Sequence, residues 1–331
     1  MHERSNTLNT WLQNFCGAQN FTLEPLAGDA SFRRYFRLET QGRTHIVMDS
    51  PLEYEPINAW IEINQALGKH GLHPPEILAQ EHEQGFLVLE DFGDQSFMSA
   101  IHEQNADTLY VQAMDTLLHM QQISTSDLNL ARFDVPWMLT ELQIMDDWFV
   151  QKMLSMTLSS DQQAVLRDSF QWIATRVAQQ PTTFIHRDYH SRNLMINHNA
   201  QLGLIDFQDA MIGPITYDLV SLLKDCYLIW PESKRRQWLT YFYQNLPYTT
   251  NLSLNEFEQA FELCGLQRHL KVLGVFSRLN LRDQKPNYIK DLPGTFNYII
   301  ACLAKQTELK PLYTLMQATI QPRFIEFMDG L

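Results

Sequence analysis

The period of hydrophobic and polar positions changes part-way along this chain. Residues 21–26, 33–39 and 44–48 are strand-like runs rich in aromatic and β-branched residues, and Gln41-Gly42 between the last two is a turn. From 56 to 70 the apolar residues Ile57, Trp60, Ile61 and Leu67 recur at helical spacing, and Gly71 stands where a C-cap belongs. Residues 76–80 and 86–89 form a second hairpin around Gln84-Gly85. Five strands and one helix are therefore expected first. The remainder is mostly helical in period. Ser160 with Gln163 reads as a capping box, opening a helix to 179 whose apolar stripe is Leu166, Phe170, Ile173 and Val177, with Pro181 as its stop. Ser253 with Glu256 opens another, through Phe257 and Phe261. Short β-type runs at 182–185, 194–196 and 202–205 interrupt this helical part, with His198-Asn199-Ala200 as the turn between the last two. The fold class expected is α+β in two lobes. Residues 1–92 form a small antiparallel-sheet lobe, and residues 93–331 a larger, mostly helical one.

Composition narrows the picture. The chain has 331 residues, enough for two lobes with a real core, and 45% hydrophobic against 19% charged residues is an ordinary globular balance. A formal charge of -13 argues against a general nucleic-acid or anionic-membrane binder. The four cysteines, Cys16, Cys226, Cys264 and Cys302, are widely spaced, which points to a reducing compartment and away from a disulfide frame or zinc site. Residues 1–15 carry polar side chains throughout, with no apolar signal-peptide core, and no apolar run approaches the ~20 residues that span a bilayer. The expectation is a cytoplasmic protein with no membrane, nucleic-acid or obligate protein partner.

The chemistry concentrates in residues 185–206. Ile185-His186-Arg187-Asp188-Tyr189-His190-Ser191-Arg192-Asn193 reads H-R-D-x-x-x-x-N, and Asp206 follows thirteen residues after Asn193. Phosphoryl transfer from ATP needs one carboxylate facing the attacking hydroxyl and other oxygens holding Mg²⁺ against the phosphates. Asp188 fits the first task. Asn193 and Asp206 fit the second, because the expected hairpin between them returns both to one place.

The segment after Asp206 resembles a particular kinase family. It runs Phe207-Gln208-Asp209-Ala210, then Gly213-Pro214 and Tyr217-Asp218-Leu219, with no A-P-E segment and no activation-loop insertion. This is similar to the aminoglycoside-phosphotransferase-like kinases, and it implies a bilobal protein-kinase-like fold, ATP and Mg²⁺ as cofactors, and a small-molecule acceptor. It also implies that His186 and Asp218 support the catalytic loop. The segment Glu90-Asp91-Phe92-Gly93, with Glu90 and Phe92 in it, would hold adenine through backbone groups at the lobe junction. The strings Asp29-Ala30-Ser31-Phe32-Arg33-Arg34-Tyr35-Phe36-Arg37, Val47-Met48-Asp49 and Gln267-Arg268-His269-Leu270-Lys271-Val272 extend the resemblance over nearly the whole chain. They resemble the branch of that family acting on the anomeric hydroxyl of the cell-wall amino sugars N-acetylmuramate and N-acetylglucosamine, so the implied partners are an amino sugar and ATP.

One departure leaves two readings open. Kinases place a Lys on the third strand against the nucleotide phosphates. Here that strand reads His45-Ile46-Val47-Met48-Asp49, without one. Either the chain binds ligands without turnover, or Arg33, Arg34 or Arg37, beside the small-residue loop at Gly28, Ala30 and Ser31, supplies the charge. Strand alternation puts Arg33 and Arg37 on one face and Arg34 on the other. Between Gly265 and Lys290 stand Arg268, Lys271, Arg278, Arg282, Lys285 and Lys290, with Asp283 the only acid. A basic acceptor pocket would suit the lactyl carboxylate of N-acetylmuramate and repel a polycation. Arg268 and Lys271, three apart on one helical face, are the first candidates, with Arg192 and Asp209 beside the catalytic residues. Two other readings stand: an aminoglycoside or small alcohol as acceptor, or a binding protein without catalysis.

Overall fold

A computed structural model describes all residues except Met1, 18–19, 27–32, 54–56, 127, 198 and 248–249. In chain order its elements begin with α1 (His2–Phe15), β1 (Phe21–Pro25), β2 (Arg34–Thr40), β3 (Arg43–Asp49), α2 (Ile57–Lys69), β4 (Ile77–Glu81), β5 (Phe86–Glu90) and α3 (Phe97–Ala100). There follow α4 (Ala106–Met120), α5 (Val135–Ile144), α6 (Ser160–Ala178), β6 (Thr182–Ile185), β7 (Leu194–Ile196), β8 (Leu202–Leu204) and β9 (Met211–Pro214). Last come α7 (Tyr217–Leu223), α8 (Glu232–Gln244), α9 (Leu254–Leu281), α10 (Leu292–Leu303), α11 (Lys310–Leu315) and α12 (Gln321–Asp329). The chain gathers into two compact units. The first comprises Met1–Glu103 and Arg192–Gln208, the second Gln104–Ser191 and Asp209–Leu331.

The first unit is built on a five-stranded antiparallel sheet of order β1-β2-β3-β5-β4. Alternation sorts its side chains to two faces. One face, carrying Leu38, Val47, Phe86 and Val88, is covered by Leu8 and Leu12 of α1 and by Cys16 just after it. Those three residues lie four apart, one stripe on a helix. The sequence reading had assigned residues 1–15 no element. Trp11 and Phe15 widen the stripe, but polar residues fill the rest of the helix, and the sheet beneath supplies the stability that propensity alone does not. Arg4 of the same helix donates to the Asp49 carboxylate at 2.7 Å and to the carbonyls of Ser50 and Gln84. Asp49 is wholly buried and is also gripped by Arg34.

The hairpin β7–β8 belongs to this unit too. The Leu204 N–H donates to the His73 carbonyl at 2.9 Å and the Ile196 N–H to that of Gln95 at 2.8 Å. Gly203 permits this docking, since a Cβ there would stand 2.6 Å from the Phe92 ring.

The second unit is mainly helical, with the antiparallel pair β6–β9 among its helices. Its spine is α9, a helix of 28 residues capped by Ser253 and Glu256 as expected. A π-helical stretch, Met145–Met153, continues α5. There α9 approaches backbone to backbone, because a Cβ on Gly274 would fall 2.4 Å from the Ile144 carbonyl carbon. The cap of α6 is corrected by one residue: Ser159 with Gln162 forms the box. Two adjacent serines and two adjacent glutamines made the two registers equivalent in sequence. All four cysteines are free and buried. No described helix is long and apolar enough to cross a membrane.

Leu12 is fully buried between α1 and the sheet. Leu12→Ala is expected to lower unfolding stability by about 2–5 kcal/mol, as for other buried leucines. Urea denaturation checks it, and a loss under about 1 kcal/mol would mean that α1 does not hold the sheet.

Candidate active site

The second unit holds the loop from His186 to Ser191 at several points. The Asp218 carboxylate, in the first turn of α7, accepts the N–H groups of His186 at 2.6 Å and Arg187 at 3.0 Å. Arg187 lies at φ 74°, a left-handed conformation that a non-glycine residue keeps only when its surroundings impose it. Further along, the Tyr189 hydroxyl donates to the Ala113 carbonyl at 2.8 Å, and the Ser191 N–H donates to Asp225 at 3.0 Å. Arg268 of α9 donates to the Arg187 carbonyl at 3.1 Å and to the Tyr217 hydroxyl at 3.4 Å. Asp188, at the middle of this braced loop, is half-buried. Burial pushes its carboxyl up, but Arg268 and Lys271, then His190 and Arg187, more than offset that and hold it below the usual carboxylate range. Asp218 moves the other way. Burial lifts it to about 7 against the pull of its two backbone donors and Arg268.

Glu141 organises the cations near Asp188, and the sequence reading did not find it. Its buried carboxylate accepts from Arg187 at 2.6 Å, Lys271 at 3.0 Å and Gln267 at 3.1 Å. Burial raises its carboxyl, yet Lys271 and Arg187 bring it below the ordinary value. The available signal was its isolation: it is the only charged residue of α5. A lone acid in an apolar helix calls for a buried partner.

The first unit contains a cavity of about 430 Å³ on the sheet face opposite α1. Ile46, Trp60, Leu89 and Phe92 line it, with Arg37, Asp91, Asn193 and Asp206 among its polar groups. Its size and mixed lining suit a nucleotide. The Asn193 amide stands 3.1 Å from the Asp206 carboxylate, so the β7–β8 hairpin does bring the two together. Asp206 has φ 64° and also accepts from Gln208 at 2.7 Å. Among the described residues no cluster of three His, Cys, Asp or Glu forms a metal cage. The Asn193–Asp206 pair fits Mg²⁺ nonetheless, because that ion takes one or two protein oxygens and fills its other positions with water and phosphate.

The arginines divide as alternation requires. Arg37 faces the cavity, paired in register with Ile46 of the third strand. It grips Asp91 at 2.8 and 3.2 Å and Asp94 at 2.8 Å. Arg34 lies on the opposite face, engaged by Asp49. Arg33 is half-buried just before β2, and Ser31, like Gly28 and Ala30, falls outside the described residues. Glu90 accepts from His73 at 3.0 Å, and the Phe92 ring stands edge-on to the same His73. Arg192 is half-buried and Asp209 exposed. Asp188 belongs to the second unit and the Asn193–Asp206 pair to the first, five residues apart along the chain. A second cavity, of about 480 Å³ between α8 and α9, has its Lys224, Lys305 and Arg236 already paired with Glu262, Glu232 and Glu258.

With this geometry in hand, comparison with known proteins is informative. A model of the phosphotransferase enzyme family matches residues 22–248. The N-acetylmuramate/N-acetylglucosamine kinase of Pseudomonas aeruginosa is 36% identical, over 96% of this chain and 97% of that protein. The protein of the same name from Neisseria meningitidis is 33% identical, over 95% of each. Among solved structures, a putative aminoglycoside phosphotransferase from Ralstonia eutropha aligns with a TM-score of 0.62 at 13% identity, covering 93% of this chain and 97% of that one. A choline/ethanolamine kinase family protein from Mesorhizobium loti does so with a TM-score of 0.62 at 12% identity, covering 95% and 99%. At such identities these two establish the protein-kinase-like fold alone.

The cations around Asp188 generate a pH prediction. Holding its carboxyl below the usual range keeps it ionised into mildly acidic solution, so turnover is lost only as pH falls through that lowered value. Lys271→Met removes one of the cations responsible. The acid limb of kcat/KM should then move to higher pH. A limb that stays in place, or moves lower, would show that Lys271 does not set the charge state of Asp188.

Proposed function

Since the chain belongs to the phosphotransferase enzyme family, we propose that it transfers the γ-phosphoryl group of ATP to the anomeric hydroxyl of N-acetylmuramate and N-acetylglucosamine, giving the sugar 1-phosphates. The observation that carries this reading is the near full-length likeness to kinases named for those two sugars. The residues in hand suit the chemistry. Asp188 accepts a hydrogen bond from the sugar hydroxyl, aligns it and takes its proton late, as an oxygen–phosphorus bond forms and the bond to the ADP oxygen breaks. An anomeric hydroxyl is more acidic than an ordinary alcohol, which suits a base held below the usual carboxylate range.

Asn193 and Asp206 would hold Mg²⁺, which when bound offsets the charge of the phosphates. The cavity beside them would take the nucleotide, with the first unit as nucleotide-binding lobe and Glu90 to Phe92 presenting backbone groups to adenine. Arg37 stands on the cavity face of the sheet, where it answers the missing third-strand Lys. Arg33, with the loop at Ser31, remains a candidate for the phosphates, and Arg192 and Asp209 for the acceptor. The cations Arg187, Arg268 and Lys271 around Asp188 favour an anionic or neutral sugar over a polycationic antibiotic.

A labelled-phosphate assay against both sugars, an aminoglycoside and choline tests the reading. Transfer to the sugars is expected. Transfer only to the aminoglycoside or choline would overturn the sugar assignment. Asp188→Asn should cut kcat by about a hundredfold or more, the scale of a general base, while ATP affinity stays within a few-fold. Retention of over about a tenth of the wild-type kcat would remove Asp188 from that role. Asn193→Ala and Asp206→Ala should each raise the Mg²⁺ concentration needed for half-maximal rate, and their effects should not add, since both address one ion. Additive losses at unchanged Mg²⁺ dependence would separate the two residues.

A further inference from the structure

The basic run on α9 looks uniform in sequence, and the structure divides it. Arg268 is buried and spent on the Arg187 carbonyl and the Tyr217 hydroxyl. Lys271 is paired with Glu141 at 3.0 Å. Arg282 is exposed and closes a bidentate pair on its neighbour Asp283, at 2.7 and 3.0 Å. Lys285 and Lys290 come after the helix has ended at Leu281. Arg278 is the remaining cation. It is half-buried, and its Nε is shielded from water without a hydrogen-bond partner among the described residues. Burial, then Arg282, lowers its affinity for a proton, while Asp283 gives a weaker opposite pull. A half-buried guanidinium with one unmet donor suits a carboxylate, which matches it in charge and in planar geometry.

Its position along α9 gives the anion an address. Residues seven apart lie two turns along one helix face, so Arg278 continues the line of Lys271, displaced by about 10 Å of helix rise. Lys271 acts on the Asp188 carboxylate, which places the near end of this line at the reacting group. On one side of the line Gly274 meets the end of α5. Phe276, on the opposite face of α9, stacks on Tyr227 at 5.9 Å, and Tyr227 meets His190 of the loop at 5.3 Å. N-acetylmuramate carries its carboxylate on the ether at C3, away from the reacting C1. A cation that reads it must therefore stand off from Asp188 along the acceptor, as Arg278 does and Arg268 does not.

We propose that Arg278 is the specificity residue that pairs with the lactyl carboxylate of N-acetylmuramate, an inference resting on the sugar-kinase reading above. N-acetylglucosamine lacks the lactyl group and makes no such contact. The ratio of kcat/KM for the two sugars isolates it.

Arg278→Met should lower the ratio of N-acetylmuramate to N-acetylglucosamine turnover by about ten- to a hundred-fold, the worth of a charge-assisted hydrogen bond. Arg278→Lys should restore part of it. The unaltered protein offers a parallel test with the methyl ester of N-acetylmuramate, whose carboxylate charge is blocked. The ester should lose a similar factor relative to the acid, and Arg278→Met should no longer distinguish the two. Equal use of acid and ester by the unaltered protein would overturn the proposal, whatever the variant does to folding. A ratio unmoved by Arg278→Met in a variant that still melts cooperatively would overturn it as well. If the unaltered protein phosphorylates neither sugar, the sugar-kinase reading itself fails, an outcome distinct from both.

Discussion

The site depends first on one buried carboxylate. Asp218 receives the N–H groups of two successive residues, His186 and Arg187, and so fixes the backbone where it enters the catalytic loop. Two consecutive amides can converge on one carboxylate only if the backbone turns between them, and Arg187 makes that turn at a positive φ. The Arg187 carbonyl is then taken by Arg268, and the loop's far end by Asp225. Asp188 is positioned from both sides, because Arg187 and Tyr189 are tied down. A buried carboxylate is costly, and burial lifts this one to about 7. Two amide donors and a nearby guanidinium are what keep an acceptor there at all.

Much of this was legible in the sequence, for identifiable reasons. The strands of the first unit announced themselves as short β-type runs, and the turn at Gln41-Gly42 by its glycine, which tolerates the positive φ found there. The Asn193–Asp206 approach followed from a hairpin of predictable length. What escaped were features set by tertiary neighbours. Helix α1 packs Leu8, Trp11, Leu12 and Phe15 on the sheet, but in sequence these stand among polar residues, and their partners come from the strands. Glu141 is an acid whose partners come from α9 and the catalytic loop, over a hundred positions away for Lys271 and Gln267. Its isolation in an apolar helix signals a buried partner, but nothing local says which. The run of α9 cations was visible, but its division was not. Arg268 lies where the helix meets the catalytic loop, and its guanidinium is drawn into backbone and hydroxyl contacts.

That division is the main chemical lesson of the second unit. The cations of α9 divide three ways. Arg268 braces the loop, Lys271 with Glu141 acts on the charge of Asp188, and Arg278 is the one proposed above to meet the acceptor. Placing a paired cation beside Asp188 lets its field act on the carboxylate while Glu141 restrains the ammonium from closing onto it. The net charge of -13 says nothing of this, since the relevant positive groups are a handful on one helix face.

The central claim is that Asp188 prepares the anomeric hydroxyl of an amino sugar to take the γ-phosphoryl group of ATP, and the product's connectivity tests it most directly. Phosphorus–proton coupling in the magnetic resonance spectrum of the product, made from ATP and N-acetylglucosamine, reports which carbon carries the phosphate. The account predicts a phosphorus signal coupled to the single anomeric proton. Coupling to the two protons of the primary carbon, or no phosphorylated sugar at all, would contradict it.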